Sequence, residues 1–320
     1  MSTEMTQNVT YHKVGKFNVS NELFLDLIFN SRCNCRCKFC IAETPSFAKE
    51  NFERWKENLV RTFNDFDIRN IIILGGEATI DPMFFEKLDF LREVIKGKNV
   101  DNVVLTTNGI MFRSKSFMEK LLSSCVTTVN LSYMNYDKKK NDSVMRGNTL
   151  TRDEVKEAYF QLKKSGRTMR LNVNVFHANC NSVEEMNKYV DTFNGCADII
   201  KFSPLMPTDM FGTVEEVRMF TNIMSLSHEA ISTLYDDFAS VNNIVYENDN
   251  VFGLVNYKEV ERNGQHVILK YAQVEDTYDL DYDIPTLKLY NNGNLSNEWQ
   301  YEKDILPEFE AALMGKEEIA

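Results

Sequence analysis

The chain has 320 residues, a formal net charge of −11 and seven cysteines. This length is sufficient for one large α/β domain with a substantial buried core, with or without an appendage. The acidic charge argues against a broad surface for duplex nucleic acid, although it is compatible with a small basic pocket. The polar amino terminus shows no secretory or mitochondrial-type presequence, and the longest aliphatic run, residues 71–74, is too short to span a bilayer. A cytoplasmic protein without a membrane partner is therefore expected.

The first part of the chain predicts a strand, a cysteine-rich loop and a helix. Residues 1–22 form a tail or a short edge element, and residues 23–29 are an apolar run of strand length. Four cysteines follow within residues 33–40. Residues 70–74 then predict a buried strand. Between the loop and this strand, apolar residues at helical spacing predict one buried helix face: Phe52, Trp55, Leu59, Phe63 and Phe66.

Helix and strand signals continue to alternate as far as residue 203. Asp81 followed by Pro82 predicts the start of a helix, and the run of lysines at 138–140 is typical of a solvated loop. Three capping boxes predict further helix starts, at Ser116, Thr151 and Ser182. Four more strands are predicted at residues 103–106, 126–133, 169–176 and 199–202. Six strands alternating with helices predict an α/β fold, a partial (β/α)6 barrel at 23–205 with its chemistry at the carboxyl ends of the strands.

The pattern changes after Pro204. Residues 214–239 predict helix, divided around 225–227, and residues 244–299 predict β-hairpins with a turn at 291–293. We therefore expect a smaller α+β cap at 206–300, which binds substrate, and a helix-like tail at 301–320.

Three of the clustered cysteines have a spacing that suits an iron–sulfur cluster. Cys33, Cys37 and Cys40 form C-x3-C-x2-C, and Phe39 precedes the last thiol. Thiolates at these intervals can each reach a different iron of a cubic cluster, and three ligands leave the fourth iron open. A structural zinc site usually needs a second pair of Cys or His ligands, and the sequence has none at ligand spacing. Cys35 leaves one alternative open, in which it replaces the first cysteine of the ligand set.

This triplet with its aromatic residue resembles the signature of the radical S-adenosylmethionine (radical SAM) superfamily. Gly75, Gly76 and Glu77 follow the second predicted strand and resemble the family's glycine-glycine-glutamate motif, which binds the SAM amino group. Thr107 and Asn108 resemble its T-N-G segment. The resemblance implies a [4Fe–4S] cluster held by the three cysteines of the motif, with SAM chelating the open iron.

Polar residues on the fourth and fifth predicted strands are candidates to bind the carboxylate and the ribose of SAM. Arg170, Asn172 and Asn174 alternate with apolar residues, so period two places them on one face. A polar face on a strand between helices is poor core material unless it lines a wet cavity. The resemblance implies that Arg170 binds the SAM carboxylate and that Ser132, Asn172 and Asn174 contact the ribose. The alternative is an edge strand with a solvated face.

The resemblance also implies a reaction. One electron from a flavodoxin- or ferredoxin-like donor cleaves SAM at the cluster to a 5′-deoxyadenosyl radical, which abstracts hydrogen from a substrate. Residues 23–205 are most similar to the branch that contains the molybdenum-cofactor GTP cyclase and the peptide-maturing enzymes. No cysteine follows Cys196 to hold an auxiliary cluster, and only 22 residues precede the first strand, too few for a leader-peptide domain.

These departures favour a single-cluster enzyme that acts on a small polar metabolite or nucleotide. A peptide- or protein-modifying enzyme, whose acidic residues 275–283 grip a basic substrate, is the alternative within catalysis. A non-catalytic iron–sulfur or zinc protein is the alternative of another class. Cys180 is a candidate hydrogen donor to a product radical, although a free cysteine is more often structural or incidental.

Overall fold

The computed structural model describes residues 11–14, 17–40, 49–208, 214–251, 255–273, 283–299 and 302–308. Within them, twelve strands form one sheet. The strands are β1 (Tyr11–Val14), β2 (Phe17–Ile28), β3 (Ile68–Leu74), β4 (Asn102–Thr107), β5 (Thr128–Ser132), β6 (Thr168–Val175), β7 (Ile199–Pro204), β8 (Asn243–Val251), β9 (Val255–Arg262), β10 (Gln265–Gln273), β11 (Asp283–Leu289) and β12 (Leu295–Ser296). The helices are α1 (Phe52–Asp65), α2 (Phe84–Val94), α3 (Lys115–Leu122), α4 (Lys138–Met145), α5 (Arg152–Lys164), α6 (Val183–Phe193), α7 (Glu215–Met224) and α8 (His228–Ser240).

The predicted α/β fold with six consecutive parallel strands is confirmed. Strands β2 to β7 are neighbours in chain order and pair in parallel throughout. Two later strands extend this parallel run, since β11 pairs with β2 and β10 pairs with β7. Parallel neighbours require crossover connections, which α1 to α6 supply for the central strands.

The strands bury one face against the helices and leave a polar face on the other side. On β6, Met169, Leu171, Val173 and Val175 are at most 1% exposed and belong to the main hydrophobic cluster. The residues between them are only partly buried. The Tyr189 ring of α6 packs edge-on against a core residue of β7, so the apolar face is the helix-facing one. Polar residues of β6 consequently line the inner face of the sheet.

The segment 206–300 is hydrogen-bonded into the same sheet as the central strands. Strands β8 to β10 form an antiparallel run that joins β7, while β11 and β12 lie at the other end of the strand order. The predicted division of the helical region around 225–227 agrees with α7 and α8. The division into a barrel and a cap stays a prediction, and most of 275–283 and 309–320 lies outside the described residues.

Two local predictions were wrong. The lysine-rich residues 138–140 begin α4 instead of forming a loop, because Asp137 caps the helix by accepting from two backbone N–H groups. Helix α3 is capped by the hydroxyl of Ser114, which accepts from Phe117 N, so the predicted capping box at Ser116 does not form. In the described residues, no helix has the length and apolarity needed to span a membrane.

Candidate functional site

The cysteine loop leaves the carboxyl end of β2 and docks on the end of β3. Gly76 N donates to Asn30 O at 2.9 Å, and Glu77 N donates to Arg32 O at 2.8 Å. A Cβ atom at Gly75 or Gly76 would collide with the backbone of the loop, at Asn30 and Arg32 respectively. Gly75 also has a φ of +153°, which side chains rarely permit. The glycine pair is therefore required for the loop to lie against the strand end.

Helix α4, which the sequence did not predict, supports the other side of the loop. Arg36 N donates to Met145 O at 3.2 Å, and Lys38 N donates to Val144 O at 3.0 Å. These carbonyls belong to the last turn of the helix, where backbone acceptors lack intrahelical partners. The loop thus supplies hydrogen-bond donors to the carbonyl groups at the end of α4, and the same bonds hold the loop in position.

Cys35 is set apart from the other loop cysteines by its burial. It is 4% exposed, and its sulfur packs so closely on Gly147 that a Cβ there would collide with it. Cys33 is exposed, and Cys37 and Cys40 are half-buried. A hydrogen bond from the Cys35 thiol is the main cause that lowers the pKa of Cys33. The Cys35 backbone N–H also donates to Cys33 Sγ at 3.3 Å, and the three thiols of the predicted ligand set are the more accessible ones.

The half-buried Phe39 lies in the turn before Cys40. No disulfide joins any of the seven cysteines, all of which are in the described part of the chain.

The buried Glu77 carboxylate links the ends of β3 and β4. It is 2% exposed. Its Oε1 accepts from the hydroxyls of Thr79 at 2.6 Å and Thr107 at 2.7 Å, and its Oε2 accepts from Asn108 N at 2.7 Å. Burial raises the pKa of Glu77, although these donors oppose the shift. The network brings the two predicted motifs together, and SAM contact by these residues stays a prediction.

Asn108 extends this network to the cysteine loop. Its Nδ2 donates to Asn34 Oδ1 at 2.7 Å and lies 4.0 Å from Cys33 Sγ. Sequence reasoning missed Asn34, Thr79 and Gly147 as parts of the site. Only Asn34 carried a signal, namely its position between two motif cysteines. The other two matter through contacts across the fold, which spacing does not reveal.

The polar face of β6 continues onto its neighbours. The register pairs Arg170 with Asn130, and it pairs Asn172 with both Ser132 and Lys201. Arg170 Nε donates to Asn130 Oδ1 at 2.9 Å. Strand β6 lies between β5 and β7, so the edge-strand alternative was wrong. Ser132, Arg170, Asn172 and Asn174 therefore share the inner face of a central strand pair.

Asn172 has an unsatisfied acceptor. Its Oδ1 is buried and has no hydrogen-bond partner in the described residues. A buried polar atom without a partner is costly, and a ligand donor would offset that cost. This observation suits the predicted ribose contact.

Cys180 belongs to the hydrophobic core and not to the cysteine loop or the inner face of the sheet. Its thiol is fully buried within the hydrophobic cluster that joins sheet and helices, and burial raises its pKa. The residue also has a φ of +52°. These surroundings favour the structural alternative for this cysteine, while hydrogen donation stays a prediction.

Comparisons with known proteins match the part of the chain that holds this site. A family model described as the radical SAM superfamily matches residues 27–190. The GTP 3′,8-cyclase of Aliarcobacter butzleri is 27% identical over 154 residues, which are 47% of this chain and 45% of that protein. A probable GTP 3′,8-cyclase of Methanococcus maripaludis is 25% identical over 185 residues, 57% of this chain and 59% of that protein. The chain thus spans about half the length of the curated relatives it matches.

Solved structures show the same fold. Streptococcus suis SuiB bound to S-adenosylmethionine has a TM-score of 0.58 at 16% identity, over 88% of this chain and 61% of that chain. SuiB bound to its precursor peptide SuiA has a TM-score of 0.55 at 16% identity, over 93% of this chain and 61% of that chain. At this identity the likeness concerns the fold, and it confirms the partial barrel.

Proposed function

This chain belongs to the radical SAM superfamily, and from that premise we propose that it is an enzyme that reductively cleaves SAM at a single [4Fe–4S] cluster. The radical then abstracts hydrogen from a small polar metabolite or nucleotide. Membership of the family implies the cluster and SAM as cofactors. The observation that carries the proposal is one short loop with three thiols, the exposed Cys33 and the half-buried Cys37 and Cys40, docked where β2, β3 and β4 end.

The residues present fit both cofactors. Three thiols are available on one short loop, and the fourth, on Cys35, is packed on Gly147. Thiolate is the ligand that iron–sulfur clusters take. The buried Asn172 Oδ1 lacks a partner and would accept from a ribose hydroxyl. Arg170 on the same face carries a charge that a carboxylate would satisfy.

When bound, the cluster and SAM supply one electron and a 5′-deoxyadenosyl radical. The chain's own residues hold and shield this chemistry. The thiolates of Cys33, Cys37 and Cys40 would hold the iron, and the Cys35 backbone N–H donates to Cys33 Sγ at 3.3 Å, a bond that would stabilise a thiolate there. The Glu77 network keeps Asn108 beside Cys33. Gly75 and Gly76 keep the loop on the strand ends.

The partners follow from this chemistry. A low-potential donor of the flavodoxin or ferredoxin type would supply the electron. The segment 206–300, together with the inner face of the sheet, would contact the second substrate. The proposed enzyme is cytoplasmic and has no duplex nucleic acid partner.

One anaerobic experiment tests the proposal. Reconstituted protein is incubated with dithionite and SAM, and 5′-deoxyadenosine is measured by chromatography. We expect its formation to depend on dithionite and on Cys37. A protein that retains its cluster absorbance but forms no 5′-deoxyadenosine would be a non-catalytic iron–sulfur protein, and the proposal would be wrong.

A peptide- or protein-modifying enzyme is the second candidate, which the fold likeness to SuiB in complex with a precursor peptide favours. Direct peptide binding distinguishes the two candidates. A deuterated basic peptide that binds the reconstituted protein and passes deuterium to 5′-deoxyadenosine would favour the second. Passage of deuterium from a deuterated small metabolite to 5′-deoxyadenosine, in the absence of peptide, would favour the first.

A further inference from the structure

Two lysines lie side by side on the inner face of the sheet, at the end of the parallel run furthest from β11. Lys201 is on β7, where the register pairs it with Asn172 of β6 and Ile268 of β10. Lys270 lies two residues beyond Ile268, so it is on the same face and one step nearer the carboxyl ends. The alternate residues Ile200 and Leu269 are fully buried on the helix-facing side. The two lysines therefore point to the polar side.

The positive charge there is not balanced by the described residues. Among them, neither Lys201 nor Lys270 forms an ion pair or a side-chain hydrogen bond. Burial lowers the pKa of Lys201 well below its ordinary value, and the charges of Arg170 and Lys270 add to that effect. Burial also lowers the pKa of Lys270 and that of Arg170. The register places Arg170, Lys201 and Lys270 on one face of three neighbouring strands.

The two lysines that are buried in the described part of the chain, Lys87 and Lys288, have carboxylate partners. Lys87 pairs with Asp81 at 2.6 Å, and Lys288 lies opposite Asp26 in the register of β11 and β2. The Asp26 carboxylate raises the pKa of Lys288 against the effect of burial. Because an unpaired buried charge destabilises a fold, buried cations are normally paired. Lys201 and Lys270 differ from these pairs: both are only partly buried, and no described carboxylate faces them, so their ammonium groups are available to a ligand on the inner face.

We propose that Lys201 and Lys270 form a subsite for an oxyanion, either a phosphoryl group or a carboxylate, on the second substrate. This inference rests on the proposed function, since it assumes that the inner face holds that substrate. Lysine binds both groups as a point charge, and two ammonium groups match a doubly charged phosphoryl oxyanion. SAM already has Arg170 for its carboxylate in the proposed function. Lys270 lies on β10, beyond the six strands whose residues are assigned to SAM.

The test compares anion binding in wild type, in the double variant Lys201→Met/Lys270→Met and in the control Lys115→Met. Lys115 is 91% exposed and is the first residue of α3. Thermal unfolding midpoints are titrated with sodium phosphate and with sodium succinate, each against sodium chloride at matched ionic strength. We expect at least one anion to raise the midpoint in wild type and control, with an apparent Kd weaker by about tenfold or more in the double variant.

The two anions distinguish the source of the oxyanion. A larger rise of the unfolding midpoint with phosphate indicates a phosphorylated substrate, and a larger rise with succinate indicates a substrate with a carboxylate. We expect the double variant without anion to melt above wild type, because it loses charge repulsion, and this shows that it folds. Lys201→Gln serves as a second, milder variant. Equal responses of wild type and double variant to both anions would overturn the inference.

Saturating SAM separates this subsite from the SAM site. Phosphate or succinate should still raise the midpoint when SAM is present, and loss of that response would overturn the assignment to a second substrate. Formation of 5′-deoxyadenosine is measured independently on the same preparations. Cleavage of SAM without a lysine-dependent anion effect would leave the proposed function standing and refute the subsite. A lysine-dependent anion effect without cleavage of SAM would refute the proposed function and leave the anion site.

Discussion

Replacing Lys87 by Met should loosen the attachment of the cysteine loop to the sheet. Lys87 and Asp81 are 2% and 0% exposed. The Lys87 ammonium group donates to Asp81 Oδ2 and to Phe29 O, both at 2.6 Å. Phe29 is the last residue before the loop. Methionine preserves most of the side-chain volume but leaves the Asp81 carboxylate buried without its counter-ion. Removal of one partner of a buried ion pair typically costs about 3–5 kcal/mol.

The free energy of unfolding of wild type, Lys87→Met and Asp81→Asn/Lys87→Met is measured by urea denaturation. We expect Lys87→Met to lose about 3–5 kcal/mol and the double variant to regain most of it, because the carboxylate charge is then absent. Iron content after reconstitution should fall in parallel in the single variant. A loss below about 1 kcal/mol, the range of an exposed ion pair, would show that Lys87 is not the buried counter-ion that we infer.

Three further predictions concern the loop and the inner face. Cys37→Ala should abolish the cluster absorbance, whereas Cys35→Ala should retain cluster and SAM cleavage; loss of the cluster in Cys35→Ala would contradict the ligand set. Gly147→Ala should push Cys35 out of its packing, with a loss of about 1–3 kcal/mol in urea denaturation and reduced iron content, and an unchanged variant would exclude this contact. Burial raises the pKa of Asp26 to about 6 from 3.8, so wild type should lose stability as pH rises through that window. The free energy of unfolding of Asp26→Asn, minus that of wild type, should increase by about 3 kcal/mol between pH ~4 and pH ~7, because only wild type must ionise a buried carboxyl group. A difference that stays constant over this pH range would show that the pKa of Asp26 is not raised.

Most of the fold could be predicted because its signals are local and repeat along the chain. The alternation of β6 follows from period two alone, and the capping box at Thr151 forms as its sequence indicates. Helix α4 could not be predicted, because three successive lysines have no apolar periodicity. Its start depends on the Asp137 cap, and its end depends on docking with the cysteine loop. That contact joins segments more than 100 residues apart.

The candidate site was predictable to a similar degree. The cysteine spacing and the glycine pair are short motifs, and the structure brings them into direct contact. The importance of Lys201 and Lys270 was invisible in the sequence, since each is a single lysine in an ordinary strand. Their significance comes from the register that places β10 beside β7, for example Ile268 beside Lys201, a pairing between residues far apart in sequence. Pairing at that range depends on the whole sheet.

The distribution of charge over the inner face has a consequence for how a substrate would lie. At the β11–β2 end, Lys288 faces Asp26 and the charges compensate each other. At the β7–β10 end, Lys201 and Lys270 stand beside Arg170 without a carboxylate among the described residues. In the described residues, uncompensated charge on this face is confined to the β7–β10 end, so the proposed anionic substrate would be attracted there. Its uncharged part would then extend toward the strands that carry the cysteine loop, where the proposed radical would form. The unbalanced cations would thus orient the substrate as well as bind it.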